Sequence, residues 1–381
     1  TIAALSFVSA FSIGANLIHS CIILSKRSAS KDPMNYKKFV VFIGGLITAF
    51  ILNFAGNLHT TYLFFKPYPN ESPVPFWQLI FSPLTFPNSY WYPNATRFIE
   101  NTIHEFPLYS YVVSDLHGHV LDIPFVLLTI AILLSLIFNF KFLILNQTKK
   151  FQISNFKFQI LLLSFLLAVM YTTNAWDGII YFLLAALIFL YPLIYSKLFS
   201  SFKKLPVGDW FLSLIILFFG FFIFSYPFNH FFKPFVSGIG VVCPPDFLVK
   251  AEKIGPFIFE EAHCQKSPWW QIMILYGFFY FWAISFLLFI FSKTSEKYQK
   301  FRNSKFIENL KLKIENLTIS DIFVLILIVL STVLIIIPEV IYVKDIYPAH
   351  YRANTMFKLV YQSFIMLSIA SGYIIIRIVL G

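Results

Sequence analysis

The chain has 381 residues, of which 58% are hydrophobic and only 12% are charged. A soluble domain carries about 25% charged residues, so this composition excludes a soluble globular protein. The apolar runs are continuous rather than alternating, which excludes a membrane β-barrel and favours transmembrane helices. The net charge of +11 comes from Lys and Arg residues dispersed over short loops. That pattern is typical of membrane orientation and not of nucleic-acid binding.

The apolar segments predict an all-α polytopic membrane protein with about nine spans of about 20 residues each. Residues 1–381 are expected to form a single transmembrane domain. The chain begins at Thr1 inside an apolar segment and shows no signal-peptide pattern, so we expect it to lack its natural N-terminal part. The predicted spans are residues 2–24, 39–57, 120–145, 158–173, 178–196, 210–227, 269–291, 320–338 and 359–380.

Alternation of these spans separates two kinds of connecting segment. Short basic loops lie on one side, which the positive-inside rule assigns to the cytoplasm, and a basic amphipathic segment at 293–318 suits the inner leaflet. Two long loops, about residues 58–119 and 228–268, then face the extracytoplasmic side. The first is rich in proline and aromatic residues and predicts a small cap at the membrane surface. The second holds Cys243 and Cys264, and a disulfide between them stays open because it requires an oxidising environment.

Acidic and histidine residues gather on the outward side, just before the third span. If a helix already begins near Asp115, then Asp115, His119 and Asp122 share one of its faces. If the helix begins at Pro124 instead, the same residues form a loop that turns at Gly118. Either arrangement places carboxylates beside imidazoles at the membrane surface. Such a group suits a general base or a metal site, although residues that merely cap a helix give the same pattern.

Two further groups of polar residues lie on this side. The first group lies between the fourth and fifth spans and consists of Asn174, Trp176 and Asp177. For the carboxylate of Asp177, a helix N-cap is the simpler explanation. The second leads into the last span, where a membrane-embedded Lys costs roughly 2.5–3.5 kcal/mol unless it snorkels to the interface. Its two cations suit an anionic group such as a phosphate, because Arg offers a bidentate fork and Lys a point charge. The residues of this second group are Glu339, Asp345, Arg352, Asn354 and Lys358.

Several of these motifs together resemble the Chlor_Arch_YYY membrane proteins of prokaryotes. The resemblance also suggests a more distant relation to the GT-C membrane glycosyltransferases, which take a sugar from a polyprenyl-phosphate carrier and use an acidic residue on an outward loop. The motifs are Glu105-Phe106-Pro107, Ser114-Asp115-Leu116-His117-Gly118-His119, Asn174-Ala175-Trp176-Asp177 and Arg352-Ala353-Asn354-Thr355-Met356-Phe357-Lys358, with Gly56-Asn57-Leu58 and the segment from Trp91 to Arg97.

The resemblance implies transfer of a sugar from a polyprenyl-phosphate-linked donor to an acceptor at the outer face of the cell membrane. The partners are then the lipid bilayer and the lipid-linked donor. Asp115, Glu105 and His117 are the expected catalytic residues. Whether Asp115, His117 and His119 bind a divalent metal ion is left undecided by the sequence. The expected substrate-binding residues are Arg97, Asn174, Trp176, Asp177, Glu339, Asp345, Arg352, Asn354 and Lys358.

Two other functions use the same residues. A transporter or flippase of an anionic lipid or solute needs polar groups near the middle of the membrane, and the central spans contain few of them. A metal-dependent membrane hydrolase needs bound metal at Asp115, His117 and His119.

Overall fold

The computed structural model describes residues 1–24, 34–65, 73–80, 92–145, 153–198, 207–234, 236–298, 317–345 and 350–380. Most of this part is helical. The long helices are α1 (Ile2–Leu24), α2 (Met34–Phe54), α6 (Ile123–Leu145), α7 (Ile153–Thr173), α8 (Ala175–Leu198), α9 (Val207–Phe231), α11 (Trp269–Tyr298), α12 (Ile319–Ile336) and α13 (Ala353–Val379). The short helices are α3 (His59–Leu63), α4 (Pro107–Val112), α5 (Gly118–Leu121) and α10 (Asp246–Val249).

Each predicted span corresponds to one of the long helices. Eight of them are long and apolar enough to cross a membrane, and α6 contributes a shorter apolar stretch, Ile123–Asn139. The prediction of an all-α polytopic membrane protein is therefore confirmed. The last helix begins at Ala353, six residues before the predicted span at 359. Its first turns carry polar side chains that hydropathy alone assigns to a loop.

Helix α13 occupies the centre of the bundle. Every residue of α13 from 359 to 374 is buried. The helix packs against α1, α2, α8, α11 and α12. Gly14 of α1 and Gly372 of α13 both lie directly against Thr48 of α2, where a β-carbon would collide with the threonine side chain. Small residues at helix contacts let backbones approach closely in a membrane, where the hydrophobic effect does not drive helix association.

The described residues of the segments that connect the long helices at one end of the bundle meet there, and this end is here named the site face. They are residues 55–65, 73–80, 92–122, 232–234, 236–268, 337–345 and 350–352. Leu58 N–H donates to the Ile274 carbonyl at 3.0 Å, and Asn101 Nδ2 donates to Gln265 Oε1 at 3.2 Å. The opposite end is fastened by an ion pair of 3.0 Å between Arg377 Nε and Asp321 Oδ1. Most of the predicted basic loops and of the amphipathic segment 293–318 lies outside the described residues.

A small sheet covers part of the site face, where the sequence predicted only a loop. Its strands are β1 (Gly238–Val241), β2 (Lys253–Ile254), β3 (Phe257–Ile258) and β4 (Ile341–Lys344), in the order β2-β3-β1-β4. The antiparallel β1–β4 pair joins the 232–268 segment to the start of α13, with Ile239 opposite Val343. Strands of two to four residues are too short to show an alternating pattern.

The disulfide that the sequence left open is present, joining Cys243 to Cys264 with their Cα atoms 4.2 Å apart. Beside it, Lys344 Nζ of β4 donates to Glu260 Oε1 at 2.6 Å. Partial burial raises the pKa of Glu260, but Lys344, His263 and Tyr342 together outweigh burial and leave that pKa below its ordinary value. The bridge and the ion pair both fasten the sheet to the site face.

We predict that Cys264→Ser loosens the small sheet. A bridge that closes a loop of this length stabilises by about 3 kcal/mol, chiefly through the unfolded chain. Amide hydrogen exchange of β1 and β4 should therefore become faster in the variant, while α13 stays protected. Cys21→Ser, which changes the buried free cysteine of α1, is the control and should leave the sheet unchanged. Equal exchange in the two variants would contradict the prediction.

Candidate functional site

The most concentrated chemistry on the site face is a group of two carboxylates and an imidazole. One ligand atom from each of Glu105, Asp115 and His119 lies within 4.8 Å of the other two. Glu105 stands just before α4, Asp115 follows that helix, and His119 lies in α5. These three residues are named the carboxylate–histidine cluster.

The exit of α4 brings Asp115 back towards Glu105. Asp115 N–H donates to the Ser110 carbonyl at 3.0 Å, and Ser114 N–H donates to the Tyr111 carbonyl at 3.3 Å. These two bonds form a Schellman motif, whose penultimate residue takes a left-handed conformation. Ser114 does so with φ of 56°, at a cost of roughly 1–2 kcal/mol for a residue other than glycine. The tight turn fixes the direction in which the carboxylate leaves the helix.

Asp115 holds His117 at the surface. His117 N–H donates to Asp115 Oδ1 at 3.1 Å, and its ring Nδ1 is hydrogen-bonded to the same oxygen. Partial burial raises the pKa of Asp115, but the hydrogen bonds from His117 and the charge interactions with His117 and His119 together outweigh burial and leave the pKa below its ordinary value. The imidazole itself is 79% exposed. His117 therefore lies outside the carboxylate–histidine cluster, and Glu105 stands where the sequence suggested His117 as the third metal ligand.

His119 faces the interior instead. Its ring packs against Phe357 at 4.6 Å and Tyr361 at 4.8 Å between centroids. Burial lowers the pKa of His119 to about 3, so its ring is neutral near neutral pH. Within the described part of the chain neither ring nitrogen has a hydrogen-bond partner, and Nε2 lies 3.8 Å from Asp115 Oδ2. A neutral imidazole beside two carboxylates fits the ligand preferences of a divalent metal ion.

Arg97 joins the cluster to a second hollow. Its Nη2 donates to Glu105 Oε1 at 3.0 Å. Burial raises the pKa of Glu105 despite this bond. On one side, Glu105 lines an open depression of about 570 Å³ with Asp115 and His117. On the other, Arg97 lines a more enclosed pocket of about 550 Å³ with Trp270. The ion pair therefore stands between two hollows of substrate size.

Lys358 is the half-buried cation of the first turns of α13. Its ammonium lies 4.8 Å from the centroid of the Phe357 ring. It acts electrostatically on four carboxylates, those of Glu105, Asp115, Asp122 and Asp177. Arg97, which pairs with Glu105, is a second cation in this region. The two cations therefore provide countercharges to this group of carboxyl groups.

Arg352, which the sequence paired with Lys358, has other partners. The side chain is 1% exposed, and its Nη1 donates to Glu339 Oε2 at 2.8 Å. Its Nη2 donates to Ser267 Oγ at 3.1 Å. Asn354 Nδ2 similarly donates to Asp345 Oδ2 at 3.0 Å. These contacts neutralise the guanidinium and connect α13 to neighbouring segments of the site face.

Asn174, Trp176 and Asp177 lie where α7 ends and α8 begins. Trp176 is half-buried and packs against the apolar core, whereas Asp177 is completely buried and no hydrogen bond of normal geometry reaches its carboxylate oxygens within the described residues. This arrangement does not match the N-cap alternative. The carboxyl group of Asp122 faces that of Asp177, a contact absent from the predicted site. The sequence signal for Asp122 was its position three residues after His119, on the same helical face.

A family of membrane proteins matches the chain over residues 1–311 and 307–367, and its description is uncharacterized membrane protein (DUF2298). The chain belongs to this family. This membership confirms the resemblance to the YYY proteins and agrees with the membrane-spanning helices. No curated protein and no solved structure matches the chain. The family description names no activity.

We predict that His119→Ala and His117→Ala differ in metal content. If the carboxylate–histidine cluster binds a divalent transition metal, loss of the buried His119 removes a ligand, whereas loss of the exposed His117 does not. Elemental mass spectrometry of purified protein, after equilibration with Mn²⁺ or Zn²⁺ and desalting, measures the difference. Loss of metal from both variants alike would contradict this ligand assignment.

Proposed function

We propose that this family member is a membrane glycosyltransferase of the GT-C kind, acting at the extracytoplasmic surface of the cell membrane. The donor is a sugar linked to a polyprenyl phosphate, whose tail stays in the bilayer while its phosphate reaches the site face. The observation that carries the proposal is the carboxylate–histidine cluster at the rim of a transmembrane bundle, open to a hollow on one side and close to Lys358 on the other.

The Asp115–His117 pair is the proposed proton acceptor. The exposed imidazole lines the open hollow, and Asp115 orients the ring and stabilises its protonated form. As the acceptor hydroxyl loses its proton to this pair, its oxygen bonds to the anomeric carbon of the donor sugar. The bond from that carbon to the carrier phosphate breaks, and the phosphate leaves with the electron pair.

Negative charge grows on the leaving phosphate in the transition state. A positive charge near that phosphate therefore gives the largest stabilisation. Lys358 is the proposed cation beside the phosphate, and it lies on the central helix α13. A divalent metal ion held by Glu105, Asp115 and His119 would supply further positive charge to the phosphate oxygens. Arg97 fixes one Glu105 oxygen and leaves the other to the cluster. The pairing of Arg352 with Glu339 argues for a positioning role for Arg352 rather than direct contact with the phosphate.

The same metal-ligand set supports a second candidate, a metal-dependent membrane hydrolase. In that case water replaces the sugar acceptor in the open hollow, and the proton of the water passes to the Asp115–His117 pair. The two reactions differ in their product, since hydrolysis releases a free sugar or a free phosphate without any requirement for an acceptor.

We predict that Asp115→Asn lowers sugar transfer at least about 100-fold, the typical contribution of a positioned acid or base. The assay uses the full chain in vesicles of its native lipids with a radiolabelled polyprenyl-phosphate sugar, and it follows label in the acceptor fraction. Asp246→Asn changes an exposed carboxylate of α10 at the site face and should retain the rate. Undiminished transfer in Asp115→Asn would remove that residue from the mechanism. Release of free sugar without acceptor would favour the hydrolase.

A further inference from the structure

A second polar group lies behind the carboxylate–histidine cluster, deeper among the helices. It consists of Asp122, Asp177 and Gln362, which are 0% exposed, and Asn174, which is 8% exposed. The group is here named the inner carboxylate pair, with its two amides. It shares no residue with the cluster used in the proposed function.

The packing of α5 creates this pair. Gly118 begins α5 directly against the carbonyl of Thr173, the last residue of α7, and a β-carbon there would collide with that oxygen. This contact places Asp122, whose N–H donates to the Gly118 carbonyl at 2.9 Å, opposite the first turn of α8. On the facing helix α13, Gln362 Oε1 accepts a 2.9 Å hydrogen bond from the hydroxyl of Tyr181. Helices α5, α7, α8 and α13 therefore surround the inner carboxylate pair.

The polar atoms at this point are poorly hydrogen-bonded. The four carboxylate oxygens of Asp122 and Asp177, and the amide nitrogens of Asn174 and Gln362, make no hydrogen bond of normal geometry within the described residues. The side chains nevertheless face one another, and Asp122, Asn174 and Gln362 each approach Asp177 closely enough for a distorted hydrogen bond. Two buried carboxylates in contact repel each other, and each costs several kcal/mol to remove from water. Lys358 acts on both Asp122 and Asp177, but the same ammonium also acts on Glu105 and Asp115.

We propose that Asp122 and Asp177 bind a hard metal cation, with Ca²⁺ as the best match, and that the amides of Asn174 and Gln362 complete the site. All four side chains offer oxygen, the donor that hard cations prefer, and none offers sulfur or imidazole nitrogen. A flip of each amide replaces its nitrogen by a carbonyl oxygen, since the two atoms are interchangeable in assignment. In the flipped Gln362 the amide nitrogen faces the Tyr181 hydroxyl and donates to its oxygen, which reverses the bond between these two residues. Two bidentate carboxylates and two carbonyls give six oxygens, the lower end of the range that Ca²⁺ takes.

The cation ties α5 and the α7–α8 junction to α13. Asp122 follows His119 by three residues, so the ion also fixes the short helix that presents His119 to the carboxylate–histidine cluster. The site is therefore a structural cation site that positions the neighbouring centre, and it stands whether or not the protein is a transferase.

The test measures Ca²⁺ binding to the purified full chain in detergent after treatment with a chelator. Radioactive Ca²⁺ equilibrium binding and the unfolding temperature are followed in a Glu105→Gln background, which disables the other cluster. We expect one ion per chain and an unfolding temperature that rises with Ca²⁺ concentration, as ligand binding to the folded state requires. Asp122→Asn and Asp177→Asn, each added to that background, should abolish both signals.

A proton shared between the two carboxyls is the outcome that overturns the proposal. Asparagine imitates a permanently protonated aspartate, so Asp122→Asn would then be as stable as its parent, and neither protein would respond to Ca²⁺. If the asparagine variants fail to accumulate, Asn174→Ser keeps both carboxylates and removes one amide ligand. Its Ca²⁺ affinity must fall, and unchanged affinity would equally overturn the proposal.

Discussion

The constraint on which this structure depends is the burial of carboxyl groups at one end of a bundle of apolar helices. Lys358 acts on Glu105, Asp115, Asp122 and Asp177, and Arg97 pairs with Glu105. Removing an ion from water is costly, and the cost falls only when opposite charge or well-placed donors replace the water. The strained turn at Ser114 and the close approach at Gly118 both serve to hold these carboxylates in place.

Helix α13 connects these carboxyl groups to the rest of the fold. It is the most buried of the membrane-spanning helices, and one turn of it carries Lys358, Tyr361 and Gln362. Tyr361 packs against His119, Lys358 acts on both carboxylate groups, and Gln362 acts on Asp177. Because α13 packs against most of the bundle, it connects the site to the core of the membrane domain. The pairing of Arg352 with Glu339 and Ser267 fixes where this helix begins.

The sequence predicts the helices well because a membrane span needs a continuous apolar run, and such a run is visible residue by residue. It also identifies Asp115 and His119, since polar residues at the rim of a span are costly. It does not reveal which of them meet. Glu105 joins the cluster and His117 does not, because the turn at Ser114 decides their directions. Asp122 meets Asp177 across 55 residues of chain, and Arg352 turns to Glu339 rather than to Lys358. The β1–β4 pair joins strands about 100 residues apart in sequence, which no local pattern indicates.

Binding of a lipid-linked sugar donor at the site face, beside Lys358, is measured by native mass spectrometry of the gently extracted full chain. We expect the native protein to retain a polyprenyl phosphate or phospho-sugar. Lys358→Met, which preserves side-chain length and removes the charge, should lose that mass, whereas Asp246→Asn should keep it. Bulk phospholipid alone, in equal amounts in all three proteins, would show that the site face does not bind such a donor.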